Sequence, residues 1–337
     1  MTGQDADFPK VSILIAVRNE AESIINCLQS IDAIKYPRHL KEVWIANDHS
    51  EDDTALLVEN FIRHKPYFHL VNITHQLPGL QGKANALAQL SQKASGQYYF
   101  ITDGDMVLPD NWIVEMLKGL KKADMVNGVT TSTYSNPLEA FQAIDWLVAL
   151  GHFTLLNYMG VSYTAMGNNM CISNQAYWAV GGYESIPFSI TEDYALFKSA
   201  INKGFKLKHL YHTGVLAHTR PQTTFRQWLW QRTRWFAGAN ALPWYGILPF
   251  YVLLLWYPLL FIAYFVSGWS TITILLLSGT AVKWLLSIGF LIKLNKQALF
   301  PYLPIFEFIW PLSYACVVIR FYTTRQIAWK GRMFDKK

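Results

Sequence analysis

The sequence predicts an α/β soluble part, a mostly parallel sheet with helices on both faces, followed by C-terminal transmembrane helices. Three observations predict it. Short apolar runs with polar ends alternate with amphipathic helical stretches, the pattern of βαβ units. Charge is unevenly placed: residues 241–319 hold four charged side chains (Lys283, Lys293, Lys296, Glu307), and the other 258 residues hold 48. Nine of the thirteen tryptophans follow residue 220, and those of Phe225–Ala239 are interleaved with arginines, which suits a membrane interface.

Val11–Val17, VSILIAV, reads as a buried strand closed by Arg18-Asn19-Glu20. AESIINCLQSI is an amphipathic helix. EVWIAND repeats strand and polar tip at Asn47-Asp48, and TALLVENFIRH is the next helix. FHLVNIT is a third strand, KANALAQLSQKA a helix, and QYYFITDGD a fourth strand ending in acid at Asp103-Gly104-Asp105. Ligands of such sheets bind beyond the carboxyl ends of the strands. The three polar tips therefore place candidate chemistry along one edge.

Residues 125–220 are less regular. They hold GNNMCIS, the turn Gly181–Glu184, TEDY (Thr191–Tyr194) and a helix, ALFKSAINKG. Phe225–Ala239, FRQWLWQRTRWFAGA, reads as an interfacial helix. Three apolar segments, about 247–267, 271–292 and 299–319, approach the roughly 20 residues a span needs. The first two read as spanning helices around the turn SGWS. The third carries Pro301, Pro304, Pro311 and Glu307 and either spans or re-enters. Lys283 is expensive at mid-bilayer and is expected to snorkel or face protein. The expected domains are 1–224, an interfacial helix over 225–245, a membrane region over 246–320 and a basic tail over 321–337.

Apolar residues make up 52% and charged residues 15%, below the roughly 25% of a soluble domain. A disordered chain is excluded. The net charge is +6, with Arg320, Arg325, Lys330, Arg332, Lys336 and Lys337 just beyond the apolar zone. No reader motif gathers basic residues, so nucleic acid is not an expected partner. The positive-inside rule favours a cytoplasmic tail and a cytoplasmic soluble part on an inner membrane. Cys27, Cys171 and Cys316 have neither CxxC nor metal spacing and suit a reducing compartment. The polar opening MTGQDADFPK does not read as a cleavable signal.

Asp103 and Asp105 flank one glycine at a strand end and can hold a hard cation, Mg²⁺ or Mn²⁺, with substrate phosphates as further ligands. A plain acidic turn is the bland alternative. Asp48 can accept an N–H from a base or ribose, although Ser50 or Asp52 capping the next helix explains part of its cluster. Lys83 starts a helix and can neutralise a diphosphate; alone it reads better as a solvated lysine. Asp193 in TED can serve as a general base, against an N-cap role for the segment. In QRTRW, Gln231 shares a helix face with Arg234 and Trp235, suiting phosphate gripping and sugar stacking. For Arg226 and Arg232, snorkelling at a membrane surface carries weight. His218 is a candidate third metal ligand or a plain histidine.

In this order, Glu20, Asp48, Lys83, Asp103-Gly104-Asp105, Thr191-Glu192-Asp193 and Gln231-Arg232-Thr233-Arg234-Trp235 resemble inverting family 2 glycosyltransferases of the GT-A fold, over about residues 9–240. NDHSEDDT is similar to that family's Asp-Asp-x-Ser-x-Asp-x-Thr segment, with Asn47 replacing the first Asp. GNNMCISNQAYWAVGGYE resembles its acceptor-side segment. The tail AWKGRMF is similar to glycosyltransferases with lipid acceptors, such as ceramide glucosyltransferases and carotenoid- or hopanoid-associated bacterial relatives.

The resemblance implies a membrane-anchored enzyme moving a sugar from a nucleotide-diphosphate donor, UDP-linked by expectation, to a lipid or lipid-linked hydroxyl. It implies Asp193 with Glu192 in catalysis, and Glu20, Asp48, Lys83 and Asp103 on the nucleotide sugar. Asp103, Asp105 and, as a third candidate, His218 would serve a metal. Gln231, Arg234, Trp235 and Asn168 would meet the diphosphate or acceptor. The alternatives are a processive polysaccharide synthase and a membrane-bound sugar-nucleotide binder without turnover. A dinucleotide oxidoreductase is disfavoured, because no GxGxxG follows the first strand.

Overall fold

The computed structural model describes residues 8–240, 242, 244–267, 269–330 and 332–335. The opening of the chain, the glycine of the SGWS turn and the terminal lysines Lys336 and Lys337 lie outside the described residues. The chain divides into two compact units, Met1–Thr131 with Phe153–Arg220, and Ser132–His152 with Pro221–Lys337.

The first unit opens with β1 (Val11–Val17), α1 (Ile24–Asp32), β2 (Lys41–Asn47), α2 (Thr54–Ile62), β3 (Phe68–Asn72), α3 (Gly82–Ser91) and β4 (Tyr98–Asp103). These are the strands and helices read from periodicity. β1 is buried along nearly all its length, which a strand covered on both faces requires. Next come α4 (Trp112–Leu120), β5 (Met125–Asn127), β6 (Val129–Ser132) and α5 (Pro137–Tyr158), through which the division between units passes. β7 (Asn169–Ser173), α6 (Asn174–Ala179), α7 (Glu192–Asn202), β8 (Leu207–His209) and β9 (Leu216–Thr219) complete the unit.

The main sheet runs β3-β2-β1-β4-β7-β5-β8. β7 pairs antiparallel with both neighbours, and the other pairs are parallel. β6 and β9 form a separate pair. Parallel pairing of β2, β1 and β4 brings their carboxyl ends to one edge. α3 packs on β1 and β2, and every α3 residue except Lys83 is buried.

The second unit holds the first part of α5 together with α8 (Phe225–Ala239), α9 (Trp244–Ser267), α10 (Trp269–Lys293), α11 (Leu303–Thr323) and a hairpin of β10 (Gln326–Trp329) with β11 (Arg332–Asp335). The Thr224/Gln227 capping box starts α8. Three helices are long and apolar enough to cross a membrane by length and composition, Gly246–Val266, Trp269–Lys293 and Gln297–Thr323. The chain is a membrane protein. Pro304 sits in the first turn of α11, where its missing N–H is harmless, and the helix continues through Pro311. Lys283 faces protein: its ammonium pairs with Glu307, which also accepts from the Tyr257 hydroxyl at 2.6 Å.

Candidate active site

The tips of β1 and β2 lock to each other through backbone donors. Asn19 and His49 have φ of 53° and 59°, a left-handed conformation that non-glycine residues seldom adopt. Side chains of the NDHSEDDT segment hold that geometry. Ser50 Oγ accepts from Asn19 N at 3.1 Å, Asp52 Oδ2 from Ala21 N at 3.0 Å, and Thr54 Oγ1 from Glu20 N at 2.8 Å. Asn19 Oδ1 in turn accepts from Glu51 N at 2.8 Å. Asp52 also accepts from Thr54 N at 3.0 Å, although the N-cap of α2 is Asp53, which makes no side-chain capping bond. Asp48 is 5% exposed, and its carboxylate lies 3.0 Å from His49 Nδ1. Arg18, not singled out from the sequence, donates to the Asp48 carbonyl at 3.0 Å. Nothing in its spacing marked it.

A second cluster joins α3, β4 and α7. Lys83 Nζ lies 2.6 Å from Asp103 Oδ1 and 2.9 Å from Glu192 Oε1, with 11% of its side chain exposed. The solvated-lysine reading is therefore overturned. Burial opposes its charge, but Asp103, Glu192 and Asp193 together push its pKa above the ordinary lysine value. Asp193 accepts from Gly167 N and Tyr194 N, both at 2.8 Å. Burial, followed by repulsion from Glu192, pushes its pKa up to about 6 against the pull of Lys83. Thr191 stands at the N-cap of α7 without a capping side-chain bond, so capping does not explain this acidic turn.

Two glycines make the close approach possible. A Cβ on Gly104 would sit 2.7 Å from Val17 Cγ1 and 3.3 Å from Glu20 Cγ. A Cβ on Gly167 would sit 2.9 Å from Asp193 Cβ and 3.4 Å from Lys83 Nζ. Glu20 itself accepts from Ser23 Oγ at 2.9 Å. Asp105 accepts from Thr219 Oγ1 at 2.7 Å. Asn168 accepts through its carbonyl from Thr102 Oγ1 at 2.9 Å and through Oδ1 from Thr130 Oγ1 at 3.3 Å. His218 pairs its backbone with Val107. Among the described residues no group of three or more His, Cys, Asp or Glu side chains gathers for a metal, so Asp103, Asp105 and His218 do not form one three-ligand cluster.

The QRTRW residues belong to the second unit. Arg232 does not snorkel there. It is 2% exposed, donates through Nε to Asp145 Oδ2 at 2.7 Å and through Nη1 to Gln231 Oε1 at 2.6 Å. Its guanidinium lies 4.1 Å from the centre of the Trp235 ring. Asp145 also accepts from Trp310 Nε1 and the Tyr314 hydroxyl, each at 3.1 Å. Buried charge without such partners would be strongly unfavourable, which is why the arginine left the surface only with an aspartate to meet it. Asp145 went unread because it is one acid inside an apolar helix, 87 residues from its partner.

A mostly parallel sheet whose carboxyl edge gathers acidic side chains around a lysine agrees with the GT-A arrangement that the motif resemblance implies. Glycosyl transferase family 21 matches residues 2–337, and the chain belongs to that family. This refines the family 2 resemblance of the motifs. Among curated relatives, the poly-beta-1,6-N-acetyl-D-glucosamine synthase of Staphylococcus epidermidis RP62A is 28% identical over 242 residues, 68% of this chain and 54% of the relative. The protein of the same description from Staphylococcus aureus strain COL is 28% identical over 237 residues, with the same coverage. The chain spans about half the length of these curated relatives. A solved mannosyltransferase from Pyrobaculum calidifontis, in complex with GDP-Man and Mn²⁺, has a TM-score of 0.56 at 20% identity, covering 95% of this chain and 88% of that one. That likeness establishes the fold.

Proposed function

We propose that this glycosyltransferase inverts the anomeric centre while moving a sugar from a nucleotide-diphosphate donor, UDP-linked in our reading, to a hydroxyl of a lipid or lipid-linked acceptor. The observation that carries it is Asp193, a carboxylate with a raised pKa beside Lys83 at the strand edge. Asp193 takes the acceptor hydroxyl proton while Glu192, held by Lys83, adds negative charge beside it. Asp48 and Glu20 hold the nucleoside. Asp103 and Asp105 offer oxygen donors only, a set that fits Mg²⁺ or Mn²⁺, the ion in the mannosyltransferase structure. Such an ion, when bound, would offset charge on the departing diphosphate. Two carboxylates leave its remaining positions to phosphate and water. Asn168 borders the acceptor side, and Gln231, Arg234 and Trp235 serve the diphosphate or acceptor.

The soluble part is assigned to the cytoplasmic face of an inner membrane. β10 packs against α8, and α11 lies along α8 through Phe321–Phe236 and Tyr314–Trp228 contacts. These contacts support a tail on the same side as α8 and a third segment that does not cross. Cysteine labelling at position 326 from the cytoplasmic side only is the expected outcome; labelling from the far side removes this topology.

The testing experiment is transfer by detergent-purified protein across a panel of nucleotide sugars, with Mn²⁺ or EDTA, with and without membrane-lipid extract. Metal-dependent release of nucleoside diphosphate that rises with lipid is expected. Donor binding without release under any condition would return the protein to a non-catalytic binder. The second reading, a processive polysaccharide synthase, is favoured by the names of the staphylococcal relatives. One added sugar per acceptor supports the lipid reading, and a ladder of products supports the synthase.

A further inference from the structure

The first unit carries a second concentration of charge, at the opposite end of its strands. A cavity of about 530 Å³ is lined by Lys10, Arg38, Lys41 and Lys65 with one carboxylate, Glu42, and three histidines, around Tyr67. Lys10 immediately precedes β1, Lys41 begins β2 and Tyr67 immediately precedes β3, so the cavity sits at the amino ends of these strands. With seven residues in β1 and β2, roughly 20 Å separates it from the carboxylate edge.

The acids near this cavity are already engaged. Glu42 accepts from Ser12 Oγ and Ser95 N, both at 2.6 Å, with Lys10 at 3.4 Å. Asp32 takes Lys65 at 2.5 Å and the Tyr67 hydroxyl. Arg38, whose guanidinium lies 5.9 Å from the Tyr67 ring centre, acts on the Asp32 carboxylate but makes no direct ion pair with a carboxylate among the described residues. Lys41 is 2% exposed, and its Nζ makes one hydrogen bond, to the Ile31 carbonyl at 2.9 Å. An ammonium has three donors. Burial holds the Lys41 pKa down to about 8, Asp32 draws it up and Arg38 lowers it further. The fold thus holds a cation where burial disfavours its charge, with one hydrogen bond among the described residues and the Tyr67 ring centre 5.5 Å from its Nζ.

We propose that this cavity binds a phosphate-bearing anion, at a site separate from the carboxylate edge. A phosphate group brings up to two charges and several acceptor oxygens. The Arg38 fork meets a pair of those oxygens, and Lys41 supplies a point charge from below. The volume exceeds that of a bare phosphate and falls within the range of small-ligand sites, about 300–1,000 Å³. The phosphate can reach this site on a soluble ester or on a lipid headgroup, and the recognition chemistry is the same.

The test is lysine-acylation footprinting of the full chain in detergent, read by mass spectrometry, with EDTA present to suppress metal-assisted diphosphate binding at the other edge. The probes are inorganic pyrophosphate and dioctanoyl phosphatidic acid. Slower labelling of Lys10 and Lys65, with Lys93 and Lys118 unchanged, is expected with at least one probe. Protection by pyrophosphate assigns a soluble phosphate; protection by phosphatidic acid alone assigns a headgroup. Arg38→Glu, at an exposed position on a short turn, is expected to weaken protection about tenfold, equal to 1.4 kcal/mol. Asp193→Asn keeps it. No protection by either probe at millimolar concentration overturns the site, as does full protection in Arg38→Glu.

Discussion

Lys83 with its two carboxylates and Arg232 with Asp145 are both buried ion groupings, and they are built in opposite ways. Around Lys83 the acids outnumber the base: Asp103 and Glu192 touch it, Asp193 adds a third charge, and Asp103 keeps 35% of its side chain exposed. Around Asp145 the charges match one to one, neither side chain is more than 3% exposed, and aromatic donors satisfy the carboxylate. An unbalanced cluster open to solvent can change protonation or accept a cation. A balanced, sealed pair can only hold its neighbours in place. The contrast separates residues suited to chemistry from residues suited to positioning, although both look like charged side chains in the sequence.

The largest effect is expected at Asp193. Asp193→Asn is expected to lower turnover by about 10²–10⁴-fold, the range for losing a general base, with donor binding near normal. Lost donor binding would instead mark a structural aspartate. Asp145→Ala leaves Arg232 buried and unpaired, so it is expected to remove about 3–5 kcal/mol of stability, measured by thermal unfolding in detergent. A variant that melts as the wild type does would show that the pair is not needed where it is.

pH separates the two groupings further. A base must be ionised, and burial with Glu192 holds Asp193 up to about 6. Activity is expected to be flat above that pH and to fall about tenfold per unit below it. Lys83 pulls the Asp193 pKa down, so Lys83→Met is expected to move the acid limb to higher pH. An unmoved limb would mean that another group sets it. The smallest effect is at Gly104. Its added Cβ in Gly104→Ala meets Val17, which is 1% exposed, and about 1–3 kcal/mol of destabilisation is expected from overpacking. Metal-dependent activity in this variant would fall if the glycine sets the spacing of Asp103 and Asp105.

The sequence by itself determined the first half of the sheet and the membrane region. β1 to β4 are apolar runs of five to seven residues with polar tips, long enough for pattern to show. The spans follow from some 20 apolar residues in a row. It also placed Asp48 and Asp103 at strand tips along one edge, whereas Asp193 comes from the start of α7. Tertiary structure decided the rest. β5 and β8 have three residues each, too few for any period, and antiparallel β7 begins with the buried polar Asn169. Whether Lys83 is solvated or clamped depends on Glu192, more than a hundred residues away. Whether Arg232 faces lipid headgroups or the interior depends on Asp145, on another helix. Periodicity reports which face of an element is apolar. It carries no information about which distant charge will meet that face, because electrostatic partners are chosen by the packed fold and not by the chain.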